Sequence, residues 1–353
     1  LDILNYLDEL NKQGITIIHV THDTDEARRA KKIIAIEKGS VFFQGTPDDI
    51  LKNPQLELKL FGEPLMRLTS FFDDRLKNKE IVLKMQDVSF SYDNNEKSLF
   101  SNFSLELKKG TLNAIMGASG SGKSTLFEIA SGLLSPSAGK IFAQSMPAFA
   151  LQDCDSALFE EFAADDVAFA PLNNGFSPEK IKDCVKNAMD LCTLPFDEFA
   201  DRKTMELSGG EKRKLSLACI IAMDKDILFF DEPTSALDPA SRCSIMKTLR
   251  RLCDDGKTIL FSTHRLDEGA YADRCITIED GKIIYDTQEG EESIAESNNL
   301  SDFIQIEPHP QTKVLDKIQK TKNGEYQDKR SIIHKINPVL KYLIFFTLFI
   351  AGL

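Results

Sequence analysis

Gly117-Ala118-Ser119-Gly120-Ser121-Gly122-Lys123-Ser124-Thr125 follows the run Thr111-Leu112-Asn113-Ala114-Ile115-Met116 and precedes Leu126-Phe127-Glu128-Ile129-Ala130. The loop fits GxxxxGKS, a pattern in which a glycine-rich turn curls its backbone N–H groups around phosphates and passes them to a helix N-terminus. Chance would place that pattern in a chain of this size about once in a hundred sequences. Its flanks supply the required context, a short buried strand before the loop and an apolar-faced helix after it. The stretch therefore predicts an α/β domain with a site for ATP or GTP; the alternative is a glycine turn whose lysine binds nothing.

Two further stretches carry chemistry. Ile227-Leu228-Phe229-Phe230-Asp231-Glu232 is an apolar run ending in two acids, as expected of a parallel strand delivering carboxylates to the edge of a sheet where ligands bind. In that reading Asp231 holds Mg²⁺ through its water shell with the Ser124 hydroxyl, and Lys123 balances charge on the β and γ phosphates. Glu232 orients and deprotonates the attacking water. Leu207-Ser208-Gly209-Gly210-Glu211 lies between the phosphate loop and the acidic strand and precedes an apolar helical pattern. A serine hydroxyl and two glycine N–H groups at a helix start form an anion site, or, more plainly, a capping turn.

Leu207–Glu211 resembles the LSGGQ-type signature of ABC ATPases, and with the other motifs the resemblance covers residues 81 to about 285. It implies the phosphate-loop ABC ATPase fold with a helical signature subdomain. It also implies that Ser208, Gly209 and Gly210 face the γ phosphate held by an opposite subunit. Gln152 matches the Q-loop glutamine that contacts metal and water and senses the membrane partner. Ser235-Ala236-Leu237-Asp238 is similar to the D-loop, His264 to the switch histidine at the γ phosphate, and Tyr92 to the aromatic that stacks on adenine.

Composition bounds the rest. The 353 residues are 42% apolar, enough for two domain cores, and 43 basic against 55 acidic side chains give a net charge of −12. With no arginine-rich stripe, that charge disfavours nucleic acid as a partner. Seven cysteines form no CxxC pair and no zinc spacing, which favours reduced thiols in a cytosolic compartment. Residues 14–39 run parallel to residues 256–281 without a gap, Thr16 matching Thr258, His22 matching His264 and Gly39 matching Gly281, an offset of 242. A repeat so long reads as a duplicated domain rather than a solenoid unit. The expectation is a first copy present only as its end, with about 160 residues of it upstream of Leu1, and a chain that is a fragment of a longer polypeptide.

The expected organisation is a remnant of the first ATPase domain with linker at 1–80, a complete ATPase domain at 81–288, a polar connection at 289–330, and at 331–353 the start of a transmembrane coupling domain. Tyr342–Leu353 carries no charge, but at about 1.5 Å per residue it would cross only ~18 Å of a ~30 Å hydrocarbon core. Lys329, Arg330, Lys335 and Lys341 suit a cytoplasmic flank. Within the family, the run from Asp153 through DDVAFAPLNNGFS resembles the ATPases of energy-coupling factor (ECF) importers, and His334, Pro338 and Lys341 match the opening of the ECF coupling subunit. That resemblance implies an ATPase at the cytoplasmic face of the cell membrane, powering uptake of a vitamin or metal ion. Its implied partners are a second ABC ATPase domain, in the same polypeptide or another copy, a membrane coupling subunit and a substrate-capture membrane subunit. Departures are Glu211 in place of glutamine, Ala118-Ser119 in place of Pro-Asn, and Cys154 to Ala157 in place of NPDDQ. Competing readings are a soluble ABC regulator of the translation-factor kind and an ABC exporter, whose membrane domain would precede the ATPase.

Overall fold

The structure, a computed structural model, describes residues 2–21, 24–37, 39–61, 65, 79–92, 98–154, 156–288 and 304–306. The stretch 331–353, most of 289–330, and His22 lie outside them. Two compact units divide the chain, Leu1–Pro64 with Leu237–Ser244, and Leu65–Ala236 with Ile245–Leu353. Among the described residues no helix is long and apolar enough to cross a membrane.

The first unit contains α1 (Asp2–Lys12), α2 (Thr24–Arg28), the antiparallel pair β1 (Ile33–Glu37) and β2 (Ser40–Gly45), α3 (Pro47–Leu51) and α4 (Pro54–Phe61). Thr46 and Asp49 cap α3 reciprocally, and Pro47 suits its first turn.

In the second unit β3 (Ile81–Phe90) and β4 (Phe100–Lys108) are followed by β5 (Leu112–Met116), α5 (Lys123–Ala130), β6 (Ala138–Ala143) and β7 (Ala148–Ala150). A helical stretch follows: α6 (Ala163–Asn173), α7 (Pro178–Leu191), α8 (Phe196–Phe199) and α9 (Gly209–Ala222). The chain then returns through β8 (Ile227–Phe230), α10 (Pro239–Asp254), β9 (Thr258–Ser262), α11 (Leu266–Tyr271), β10 (Arg274–Glu279) and β11 (Lys282–Asp286). Ile304–Gln305, inside the stretch read as polar connection, adds a short β12 against Ala143 and Phe142 of β6.

One sheet has the order β11-β10-β5-β9-β8-β7, parallel throughout except for the β11 edge. Every residue of β8 and β9 is buried, as a strand covered on both faces requires. The other sheet, β12-β6-β3-β4, is antiparallel. On β4, Phe103, Leu105 and Leu107 point inward while Asn102 and Ser104 are exposed, the period of a half-buried strand. Phe127 of α5 stacks on Phe229 of β8 at 5.7 Å and meets Phe149 of β7 edge-on at 5.8 Å. It shares its core with Leu83, Phe100 and Ile141 of the antiparallel sheet. That core anchors the helix whose first turn carries Lys123 and Ser124.

Helix α9 packs on α6 and α7 and is buried nearly all round from Leu215 to Ile220. Asp166 of α6 ties this layer together, accepting from the amides of Phe159 and Glu160 and from the Thr204 hydroxyl; burial nonetheless raises its pKa. All seven cysteines are free thiols, and burial pushes Cys192 up to about 12.

Candidate functional site

Strand β5 delivers Gly117 to the parallel sheet's carboxyl edge, and the chain turns through Gly122 into α5. A Cβ at Gly117 would lie 2.4 Å from the Ile278 carbonyl oxygen, so only glycine lets the loop rest against β10. Gly122 has φ 99°, and a Cβ there would meet the Phe100 ring at 2.8 Å. Lys123 is 9% exposed and its ammonium donates to the carbonyls of Gly117 and Ala118 at 2.8 and 2.9 Å. The Ser121 hydroxyl is buried without a hydrogen-bond partner. A cradle with a cation, an orphan hydroxyl and the unpaired first-turn amides of an α-helix fits a polyphosphate.

The facing wall comes from β8. Asp231 is 3% exposed and accepts from the Ser262 hydroxyl at 2.5 Å, while the Glu232 amide donates to that hydroxyl at 2.8 Å. Glu232 has φ 48°, a left-handed conformation for a non-glycine residue of the kind that clusters at functional sites. Its carboxylate accepts from the Gln152 side-chain amide at 3.3 Å and lies 3.6 Å from His264 Nδ1. Tyr92 donates to or accepts from the Thr125 hydroxyl at 2.7 Å and packs edge-on to Phe90. Nearby, burial and the Asp231 charge raise the Glu128 pKa.

Of the residues singled out from the sequence, Tyr92, Gly117, Ser119, Gly120, Gly122, Lys123, Ser124, Thr125, Gln152, Asp231, Glu232 and His264 line one cleft of about 460 Å³. Ala118 and Ser121 complete the loop without lining it. Ser124, Asp231 and Gln152 offer hydroxyl, carboxylate and amide oxygens, a donor set that suits a hard cation such as Mg²⁺ shared with phosphates. Among the described residues no group of three or more His, Cys, Asp or Glu could hold a metal by itself.

Ser208, Gly209 and Gly210 open α9 and do not line this cleft. Ser208 and Glu211 form a capping box: the Ser208 amide and hydroxyl donate to Glu211 at 2.8 and 2.7 Å, and the Glu211 amide returns to Ser208 at 3.3 Å. Burial would raise the Glu211 pKa, but the Ser208 hydrogen bonds and the Arg202 and Lys214 charges hold it below the usual carboxylate range. A Cβ at Gly209 would meet nothing within 4 Å.

Sequence reading missed three supporting residues. Arg213 of α9 is 4% exposed and donates to four backbone carbonyls, those of Leu151, Gln152, Asp231 and Glu232. Glu268 is fully buried and accepts from the hydroxyls of Thr234 and Thr263, residues that in the chain closely follow Glu232 and immediately precede His264. Ser262 bridges Asp231 and Glu232. Arg213 stands in the run Lys212-Arg213-Lys214, where no local pattern marks the inward member.

A strand, phosphate loop and helix, facing an acid-tipped parallel strand, with a helical layer whose last helix begins at the Ser208 turn, define the phosphate-loop fold of the ATP-binding cassette type. The family model for ABC transporters matches residues 100–235. An energy-coupling factor transporter ATP-binding protein, EcfA2, of Lactococcus lactis subsp. cremoris is 35% identical over 225 residues, covering 58% of this chain and 77% of that protein. EcfA2 of Methanospirillum hungatei is 36% identical over 221 residues, covering 58% of this chain; the chain spans only 55% of that relative's length. Among solved structures, cbiO1 of Clostridium perfringens, part of the ABC transporter complex cbiONQ, superposes with a TM-score of 0.53 at 25% identity, covering 75% of this chain and 99% of that one. The chain belongs to the ABC transporter ATPases, among the energy-coupling factor transporter ATP-binding proteins.

Proposed function

We propose that residues 81–288 bind Mg-ATP in the cleft between the phosphate loop and the tip of β8, hydrolyse it there, and drive import through a membrane coupling subunit. The convergence of Lys123, Ser124, Gln152, Asp231, Glu232 and His264 on one cleft carries this reading. Lys123 exchanges its loop carbonyls for β and γ phosphate oxygens. Ser121 and the first-turn amides of α5 take the remaining phosphate charge. Ser124, Asp231 and Gln152 would hold magnesium, which would supply positive charge to the phosphates. Glu232, aimed by Gln152 and His264, takes the proton of the attacking water. Tyr92 provides a face for adenine.

The Ser208 turn stands apart from that cleft, and neither packing nor backbone conformation demands glycine at position 209. Close approach of a phosphate from outside the domain gives that glycine a purpose. The working unit is therefore a pair of cassettes, each closing its signature turn on nucleotide held by the other, and reopening after hydrolysis. In this reading 1–80 is the end of a first cassette, 289–330 connects, and 331–353 begins the membrane part at the cytoplasmic face. The transported substrate, a vitamin or metal ion, is captured by a separate membrane subunit. Fractionating the full-length protein tests the coupling: retention with membranes supports import, and a wholly soluble protein favours an ABC regulator instead.

A further inference from the structure

Two of the cleft's contributors, Gln152 and Glu232, follow different strands, and one buried cation joins their backbones. Arg213 Nη1 donates to the carbonyls of Leu151 and Gln152 at 3.2 and 2.6 Å, where the chain leaves β7. Its Nη2 donates to the Asp231 carbonyl at 2.5 Å and to that of Glu232, where the chain leaves β8. Four carbonyl dipoles converging from two strand ends repel one another, and a planar guanidinium is the one side chain whose fixed fork answers all four. At 4% exposure no solvent competes for these bonds. Arg213 also stands five residues after Ser208, the N-cap of the same helix, and is itself buried while Lys212 and Lys214 beside it are half-buried.

We propose that Arg213 is a positioning residue for hydrolysis. It fixes the spacing between the Gln152 and Glu232 backbones and makes them move with the turn that bears Ser208. A ligand that draws the start of α9 then re-aims the acid without touching it. This rests on the roles given above to Gln152, Glu232 and Ser208.

The test compares Arg213→Met and Arg213→Lys with the wild type in the full-length protein. Binding of a fluorescent ATP analogue, steady-state hydrolysis and hydrogen exchange over residues 150–154 and 230–233 are measured, with melting temperature as a control on folding. Nucleotide affinity should stay within about twofold, because the phosphate loop is untouched, while kcat falls by about tenfold to a hundredfold in Arg213→Met. Arg213→Lys should fall between, since an ammonium brings three donors to four acceptors. Exchange in both segments should quicken in either variant. Unchanged kcat and exchange in folded Arg213→Lys, or a loss confined to KM, would overturn the proposal. If the wild type itself fails to bind or hydrolyse ATP, the functional reading falls, and the exchange measurement still decides whether Arg213 ties the two strand ends.

Discussion

At the scale of single residues, the site is an arrangement of charge held by backbone. Glu232 takes a left-handed conformation and meets Gln152 and His264 through its two oxygens. Glu232→Gln should keep ATP binding and lower kcat by about a hundredfold or more, as loss of a general base does; single-turnover kinetics with radiolabelled ATP checks it, and undiminished turnover refutes the assigned base. Away from the cleft, Asp286 makes a forked pair with Arg274 at 2.9 and 2.6 Å. Burial would raise the Asp286 pKa, but the Arg274 bonds and charge outweigh it and hold the carboxyl below its usual value. A depressed folded pKa gives stability that is present above the unfolded value, near 3.9, and is lost as pH falls through the folded one. The difference in unfolding free energy between wild type and Asp286→Asn should stay constant from neutral pH to about pH 4 and shrink below it. Urea titrations across that range measure it. Lys123, Ser124, Asp231 and Glu232, which the structure brings to one cleft, are legible in sequence because the phosphate-loop and acid-tipped strand patterns are local. Arg213, Ser262 and Glu268 are not, because each acts on groups distant in the chain.

At the scale of elements, buried runs bounded by glycine or acid gave β5, α5 and β8 directly, and the Ser208 turn announced α9. The structure differs where an element depends on distant partners. Ile17–Val20 repeats Ile259–Ser262 of β9, yet it forms no ladder among the described residues, and Ile18 and Val20 are 91% and 92% exposed. Strand β9 exists because β5 and β8 pair with both its edges; apolar character alone does not make a strand. Strand β12, two residues long in a polar stretch, leaves no periodic signal. Two measurements belong here. Ser208→Ala removes the α9 cap and should destabilise by about 1 kcal/mol in chemical denaturation. Phe127→Ala empties the space between α5 and the parallel sheet and should destabilise by about 3–5 kcal/mol, weakening nucleotide binding as the first turn of α5 loosens.

At the scale of the whole molecule, the sequence repeat between residues 14–39 and 256–281 reappears in the backbone of two hairpins. Hairpins β1-β2 and β10-β11 share their register, and each shifts register at one place, between Ala35 and Ile36 and between Thr277 and Ile278, positions related by the same offset as the sequence repeat. Gly39 and Gly281 turn the two hairpins with φ 76° and 70°. The residues that line the candidate nucleotide cleft all lie in the second unit, so the proposed ATP binding can be tested on this chain by itself. The most direct test is calorimetric titration of the folded chain with Mg-ATP, beside Lys123→Ala. The account predicts saturable binding that the substitution weakens by about tenfold to a hundredfold, the worth of a charge-assisted hydrogen bond. Folded wild-type protein that takes up no Mg-ATP, or binding that survives Lys123→Ala unchanged, would contradict it.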